Sequence, residues 1–257
     1  MARDFTQTAY ADLLDAALES GYSFLTVREY LQRETLPERF VIVRHDVDRK
    51  PKNALSQGRL EAVRDISTSY YVRTAESAFD PVVITRLDEL GHEVGYHYED
   101  LDRADGDVAA SRRSFETNLA RVRRLVPVDT VCMHGNPLTP HDNRDMWDEP
   151  PDFGRYDLLG EAYLSMDFDD VTYFSDTGRT WRDGILKVKD HTMGEGDKRV
   201  SADSTRDLIS VLRDGSIDRA CLLVHPERWT NSYPEFVTQR TKDAAINAAK
   251  YGIQTIR

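Results

Sequence analysis

Five short stretches of this chain place acids, imidazoles and arginines directly after apolar runs. They are Arg44-His-Asp-Val-Asp48, His97-Tyr-Glu99, His134-Gly-Asn-Pro137, Ser175-Asp-Thr-Gly-Arg179 with Trp181 just beyond, and His225-Pro-Glu-Arg-Trp229. Imidazole and carboxylate together suit a divalent transition metal, zinc above all, and the lack of cysteine ligands favours an open catalytic site over a closed structural one. Asp46 and Asp48 are two residues apart, so in extended backbone they point to the same side. Two adjacent carboxylates repel unless a cation or a shared proton lies between them. A helix cap or Asx turn ahead of Pro51 accounts for one of the pair but hardly for both. His45 alternates in side from Asp46 and is expected to face a helix. His92 stands at the start of its strand, away from the other imidazoles, and reads as structural.

These groups can act together only if the elements carrying them end on one rim. Helical spacing runs over 6–20, with Tyr10, Leu13, Leu14 and Ala17 on one face, and again over 27–34, 54–65, 82–90, 109–125, 205–212 and 235–250. Between them lie strand-like runs at 40–43, 68–72, 92–98, 130–133, 171–174 and 220–224, and a last strand is expected at 253–256. The run Phe40-Val-Ile-Val43 is continuously apolar, as in a strand buried on both faces. Alternation of this kind means a mostly parallel sheet with crossover helices, and a closed or nearly closed β/α barrel suits the strand count better than an open sheet. Function in such folds collects at the carboxyl ends of the strands. Four of the seven histidines fall there. The stretch 135–165 is too long for a simple connection, and its Asn136, Asp142, Asn143, Glu161 and Tyr163 are candidates to line a cleft. Arg179 and Trp181 are candidates for a sugar-stacking wall.

At 257 residues, with 40% hydrophobic and 31% charged residues, the chain suits one α/β domain, with residues 1–38 as a helical part packed on the barrel. A formal net charge of -11 argues against a nucleic-acid partner. No run approaches the roughly 20 apolar residues of a membrane span, and no signal region leads the chain, so a cytoplasmic protein is expected. Cys132 and Cys221 sit inside strand-like runs and read as two buried free thiols.

At its strand ends the sequence resembles the polysaccharide deacetylase (NodB-homology) superfamily over most of the catalytic domain. Arg44-His-Asp-Val-Asp48 resembles the family's first motif, which implies Asp46 as catalytic base and Asp48 as metal ligand. Gly91-His-Glu-Val-Gly-Tyr-His97 resembles the strand carrying the histidine motif, with His97 as a ligand, and Leu222-Leu-Val-His225 resembles the last motif, with His225 as general acid. Gly21-Tyr-Ser-Phe-Leu-Thr-Val-Arg28 and Ser67-Thr-Ser-Tyr-Tyr-Val-Arg73 have the look of a poorly characterised branch of it. The second ligand histidine of the family would fall at Leu101, which binds no metal; His134 is the replacement expected, with Glu99 second. The resemblance implies a distorted (β/α) barrel and a metal-dependent hydrolase, most naturally a zinc enzyme. Its expected reaction is removal of an N-acetyl group from a carbohydrate or glycan precursor, with Asn136, Glu161, Arg179 and Trp181 toward substrate. Three alternatives stay open. A carbohydrate-binding relative without activity is favoured by Leu101. A sugar-nucleotide glycosyltransferase would use Asp46-Val-Asp48 to hold a metal on a diphosphate, but it leaves His97, His134 and His225 without a purpose. A metal phosphoesterase could use the same rim.

Overall fold

A computed structural model describes residues 3–183, 187, 189–190 and 200–256, with side chains as far as residue 248. The strands are β1 (Ser23–Leu25), β2 (Phe40–Val47), β3 (Ser69–Val72), β4 (Glu93–Tyr98), β5 (Thr130–Met133), β6 (Gly160–Glu161), β7 (Thr172–Ser175) and β8 (Arg219–Val224). The helices are α1 (Gln7–Glu19), α2 (Val27–Gln32), α3 (Pro51–Ala62), α4 (Pro81–Glu89), α5 (Asp100–Arg103), α6 (Val108–Arg123), α7 (Thr205–Arg213) and α8 (Tyr233–Ile256). Every strand pair is parallel, in the order β6-β5-β4-β3-β2-β8-β7, with β1 beside the first half of β2.

The sheet curls on itself. Tyr163, just after β6, and Tyr173, on β7, come from opposite ends of the strand order, yet their hydroxyls lie 3.2 Å apart. No hydrogen-bonded ladder joins β6 to β7 among the described residues, so the barrel is distorted and open at that seam. Alternation along each strand sorts its side chains. Val41, Val43, Ala220, Leu222 and Val224 face outward into a core shared with Tyr10, Leu13 and Leu14 of α1 and Leu208 and Leu212 of α7. Ile42 and Cys221 belong to the other core. Continuing the inward register of β2 beyond Ile42 gives Arg44 and Asp46, so the reactive residues lie on the inner side of the curl.

Local signals start the helices. Thr6, Thr26, Asp80 and Ser204 each cap a helix with a side-chain oxygen, and Thr26 with Glu29 forms a capping box. The N-cap of α3 is Lys50, in a left-handed conformation at φ 53° and without a side-chain cap, so neither Asp46 nor Asp48 serves there. Two expectations are corrected. The segment 253–256 is not a strand but the end of α8: a four-residue apolar run has no period of its own, and here it continues an established helix. The first 38 residues supply β1 to the sheet as well as two helices.

Candidate active site

The rim at the carboxyl ends of the strands encloses a cavity of about 520 Å³ whose walls include Asp46, Asp48, His97, His134, Asn136 and His225. Each gets there by a short path. Asp46 is on β2 with Asp48 just past it, His97 is on β4, and His134 and His225 directly follow β5 and β8. His97 Nε2 lies 3.5 Å from Asp48 Oδ1, and His134 Nε2 lies 3.4 Å from the same oxygen. Around a tetrahedral zinc ion, ligand atoms at 2.0–2.2 Å stand about 3.3 Å from one another. Asp48 Oδ1 thus stands at ligand–ligand spacing from each of the two imidazole nitrogens.

Outer contacts orient these groups. Backbone geometry places the Cys132 carbonyl 3.0 Å from His97 Nδ1, so Nδ1 donates there and Nε2 keeps its lone pair for the cavity. Glu99 Oε2 is 3.3 Å from His134 Nδ1, a contact that falls short of hydrogen-bond geometry. Arg73 and Arg103 grip the Glu99 carboxylate. Burial would raise the Glu99 carboxyl, but His134 and Arg73 hold it well below the usual range. Glu99 therefore supports His134 rather than pointing at the cavity. Burial likewise works against a charged Asp48, and His134, His97 and His225 reverse this, keeping its carboxyl well below normal. Asp48 Oδ1 is buried and accepts no hydrogen bond. An orphan carboxylate oxygen between two imidazole nitrogens is a natural cation ligand.

Among the described residues, the trio whose ligand atoms all lie within 4.8 Å of one another is Asp46, His97 and Cys132. Two features weigh against it as a cation site. Arg44 lies 3.3 Å from both Asp46 oxygens, a buried positive charge that opposes a cation there. Burial pushes the Cys132 thiol well above its ordinary value, which disfavours the thiolate. Asp46 is held by Arg44 and faces the cavity.

His225 is held by a group that sequence reasoning left without a role. Asp176, one residue past β7, is fully buried and accepts from His225 Nδ1 at 2.7 Å, from the His225 backbone N–H at 2.9 Å, from Arg228 at 2.7 Å and from Trp229 Nε1 at 2.8 Å. Burial would raise its carboxyl, but Arg228 and His225 bring it to about 2. Burial and Arg228 oppose a charged His225, while Asp176 outweighs them and raises its pKa. With Nδ1 committed to Asp176, Nε2 is the nitrogen left to donate a proton. Asp176 belongs to a stretch that the strand-end rule had marked, but its partner lies 49 residues away in the chain.

The residues expected to meet substrate divide. Asn136 lines the cavity. Trp181 does not, because it is packed in the outer core against Phe5 and Trp229 with its indole N–H on Thr205. Arg179 faces away from the cavity and pairs with Asp243 of α8 at 2.7 Å. Glu161 is buried on β6, where its carboxylate accepts the backbone N–H groups of Met133, Tyr163 and Leu164, so it ties the β5 and β6 ends together. His45 faces α1 and α3 through Tyr10 and Glu61, and His92 bonds the Gly58 carbonyl. Cys132 and Cys221 are buried free thiols. Among the described residues no helix is long and apolar enough to cross a membrane.

No protein-family model matches the sequence, and no curated protein matches it. Three solved structures are similar over most of the chain. The catalytic domain of peptidoglycan N-acetylglucosamine deacetylase from Eubacterium rectale is 13% identical, over 82% of this chain and 86% of that one, at a TM-score of 0.45. The Streptococcus pyogenes deacetylase PplD in complex with acetate is 12% identical, over 93% and 89%, at 0.44. The Bacillus subtilis peptidoglycan deacetylase PdaC is 14% identical, over 85% and 97%, at 0.39.

Proposed function

We propose that this protein is a metal-dependent hydrolase of the polysaccharide deacetylase type that removes an N-acyl group from a carbohydrate or glycan precursor. The observation that carries the reading is Asp48 Oδ1: buried, without a hydrogen bond, and within 3.5 Å of the Nε2 atoms of both His97 and His134. Asp48, His97 and His134 would hold a divalent metal, zinc being the best match to one carboxylate and two imidazoles. When bound, that ion supplies the positive charge that polarises an amide carbonyl and makes water more acidic. Asp46, fixed by Arg44, takes the proton from the attacking water at its carboxylate. His225 then gives its Nε2 proton to the amine nitrogen as the C–N bond breaks, and Asp176 steadies the imidazolium before that transfer. The products are a carboxylate, acetate in the simplest case, and a free amine.

The test pairs metal content with acetate release from N-acetylglucosamine oligomers. About one equivalent of zinc is expected in the wild type and little in His97→Ala or His134→Ala, with a chelator lowering the wild-type melting temperature by roughly 5–10 °C. Asp46→Asn should keep the metal and lose roughly 10²–10⁴-fold in turnover. A protein that holds no metal after reconstitution, or an Asp46→Asn variant with unchanged turnover, would defeat this reading.

A further inference from the structure

The last helix forms part of the cavity. Asp243, Ile246 and Asn247 of α8 line it together with Asn136, Pro137 and Leu138 from the loop after β5. α8 is fastened to two different strand ends. After β7, Arg179 pairs with Asp243 at 2.7 Å, both side chains being under a tenth exposed, and Asn247 donates to the Gly178 carbonyl at 3.2 Å. After β2, Lys50 pairs with Glu235 at 2.8 Å, and Arg49 reaches to 3.7 Å from Asp243. The loop after β5 is tied as well: Lys189 Nζ donates to the Asn136 carbonyl at 2.7 Å and to Thr139 Oγ1 at 3.0 Å.

We propose that the pocket takes its substrate end-on, as a single N-acyl sugar or the terminal unit of a chain, and that α8 imposes this selectivity; the proposal rests on the deacetylase reading above. A polymer held by an internal unit needs room on both sides of the reacting sugar, and a helix pinned by a buried ion pair takes up part of the cavity's perimeter. The surfaces that hold successive sugar rings are exposed aromatic faces. The described lining has a single aromatic, Tyr163, which is 2% exposed, and Trp181 and Trp229 are in the core. The lining carries exposed aliphatic side chains instead: Leu138 is 70% exposed and Ile246 is 40% exposed. The cavity of about 520 Å³ falls in the small-ligand range of roughly 300–1,000 Å³.

The experiment incubates the metal-loaded protein with N-acetylglucosamine oligomers of one to six units. It measures acetate and locates the freed amine by tandem mass spectrometry. The expected product carries its amine on one terminal unit, and kcat/KM gains nothing beyond two units. Amines at internal units, with kcat/KM climbing about tenfold or more with length, would overturn the proposal and leave the deacetylase reading standing. No acetate from any length would overturn both. Arg179→Ala cuts the α8 pin outside the cavity. It should shift the ratio of internal to terminal product by about tenfold while single-sugar turnover stays within about threefold. Glu235→Ala, which frees the start of α8 from Lys50, serves the same purpose if Arg179→Ala does not fold. A terminal-only pattern unchanged in a folded pin variant would remove α8 as its cause.

Discussion

Under the proposed mechanism His225 gives a proton from Nε2, and Asp176 is the group that takes up its Nδ1. Four donors converge on its carboxylate, so it stays ionised and holds His225 Nδ1–H away from the cavity. Asp176→Asn removes that preference, because an amide can present either a donor or an acceptor to Nδ1. Under the proposed mechanism kcat should fall by roughly 10²–10⁴-fold with metal content unchanged. Steady-state acetate kinetics beside metal analysis checks this; an unaltered kcat would mean that His225 is not the donor. Arg44 belongs to the same scale. Its identity was plain in the sequence, but that it is buried and paired with the Asp46 carboxylate two residues on is visible only once Tyr163 and Tyr173 close over it.

At the scale of elements, period-two alternation positions the site, and one glycine makes the alternation affordable inside the curl. A Cβ at Gly95 would stand 2.4 Å from the Tyr71 ring and 2.6 Å from the Thr130 carbonyl, both inside the barrel. Gly95→Ala should therefore destabilise the fold by about 3 kcal/mol as Tyr71 or the backbone of β5 is forced aside. Chemical denaturation of the two proteins measures it, and a change below about 0.5 kcal/mol would show that the interior has room to adjust. The long helices and the central strands were legible because each spans enough residues to display a period. β1 and β6, of three and two residues, were not, since so short a run carries no periodic signal.

At the scale of the whole molecule, one carboxylate ties the outer helices to the sheet. Glu61 of α3 meets His45 of β2 at 2.7 Å, Tyr70 of β3 at 2.7 Å and Thr68 at 2.8 Å, and it also accepts from Tyr10 of α1. Burial would raise its carboxyl, but His45, then His92 and Tyr10, lower it from an ordinary 4.5 to about 2. The folded value is thus the lower one, and between the two the unfolded chain binds more protons. The stabilisation is complete above about pH 4.5 and fades as pH falls towards 2. Urea unfolding of wild type against Glu61→Gln should show their difference shrinking by on the order of 2 kcal/mol from pH 7 to pH 3. A difference that does not move with pH would mean that Glu61 is not charged in the folded protein.

The long helices, the central strands, the parallel sheet and the strand-end positions of Asp46, Asp48, His97, His134 and His225 were readable from residue type and spacing, because burial imposes a period on a strand or helix that faces a core and is long enough to show it. What the chain could not declare was which groups meet across it. Alternation says that Arg44 and Asp46 share a side. The curl of the sheet brings that side against Tyr163 and Tyr173, and β7 delivers Asp176 to His225. Glu161 and Trp181 carried the right chemistry for a sugar site and were taken up by backbone amides and core packing instead. Arg179 went to Asp243 because α8, which reads in the sequence as a terminal amphipathic helix, folds back over the rim. Partners of that kind are set by long-range geometry, which leaves no local pattern in the sequence.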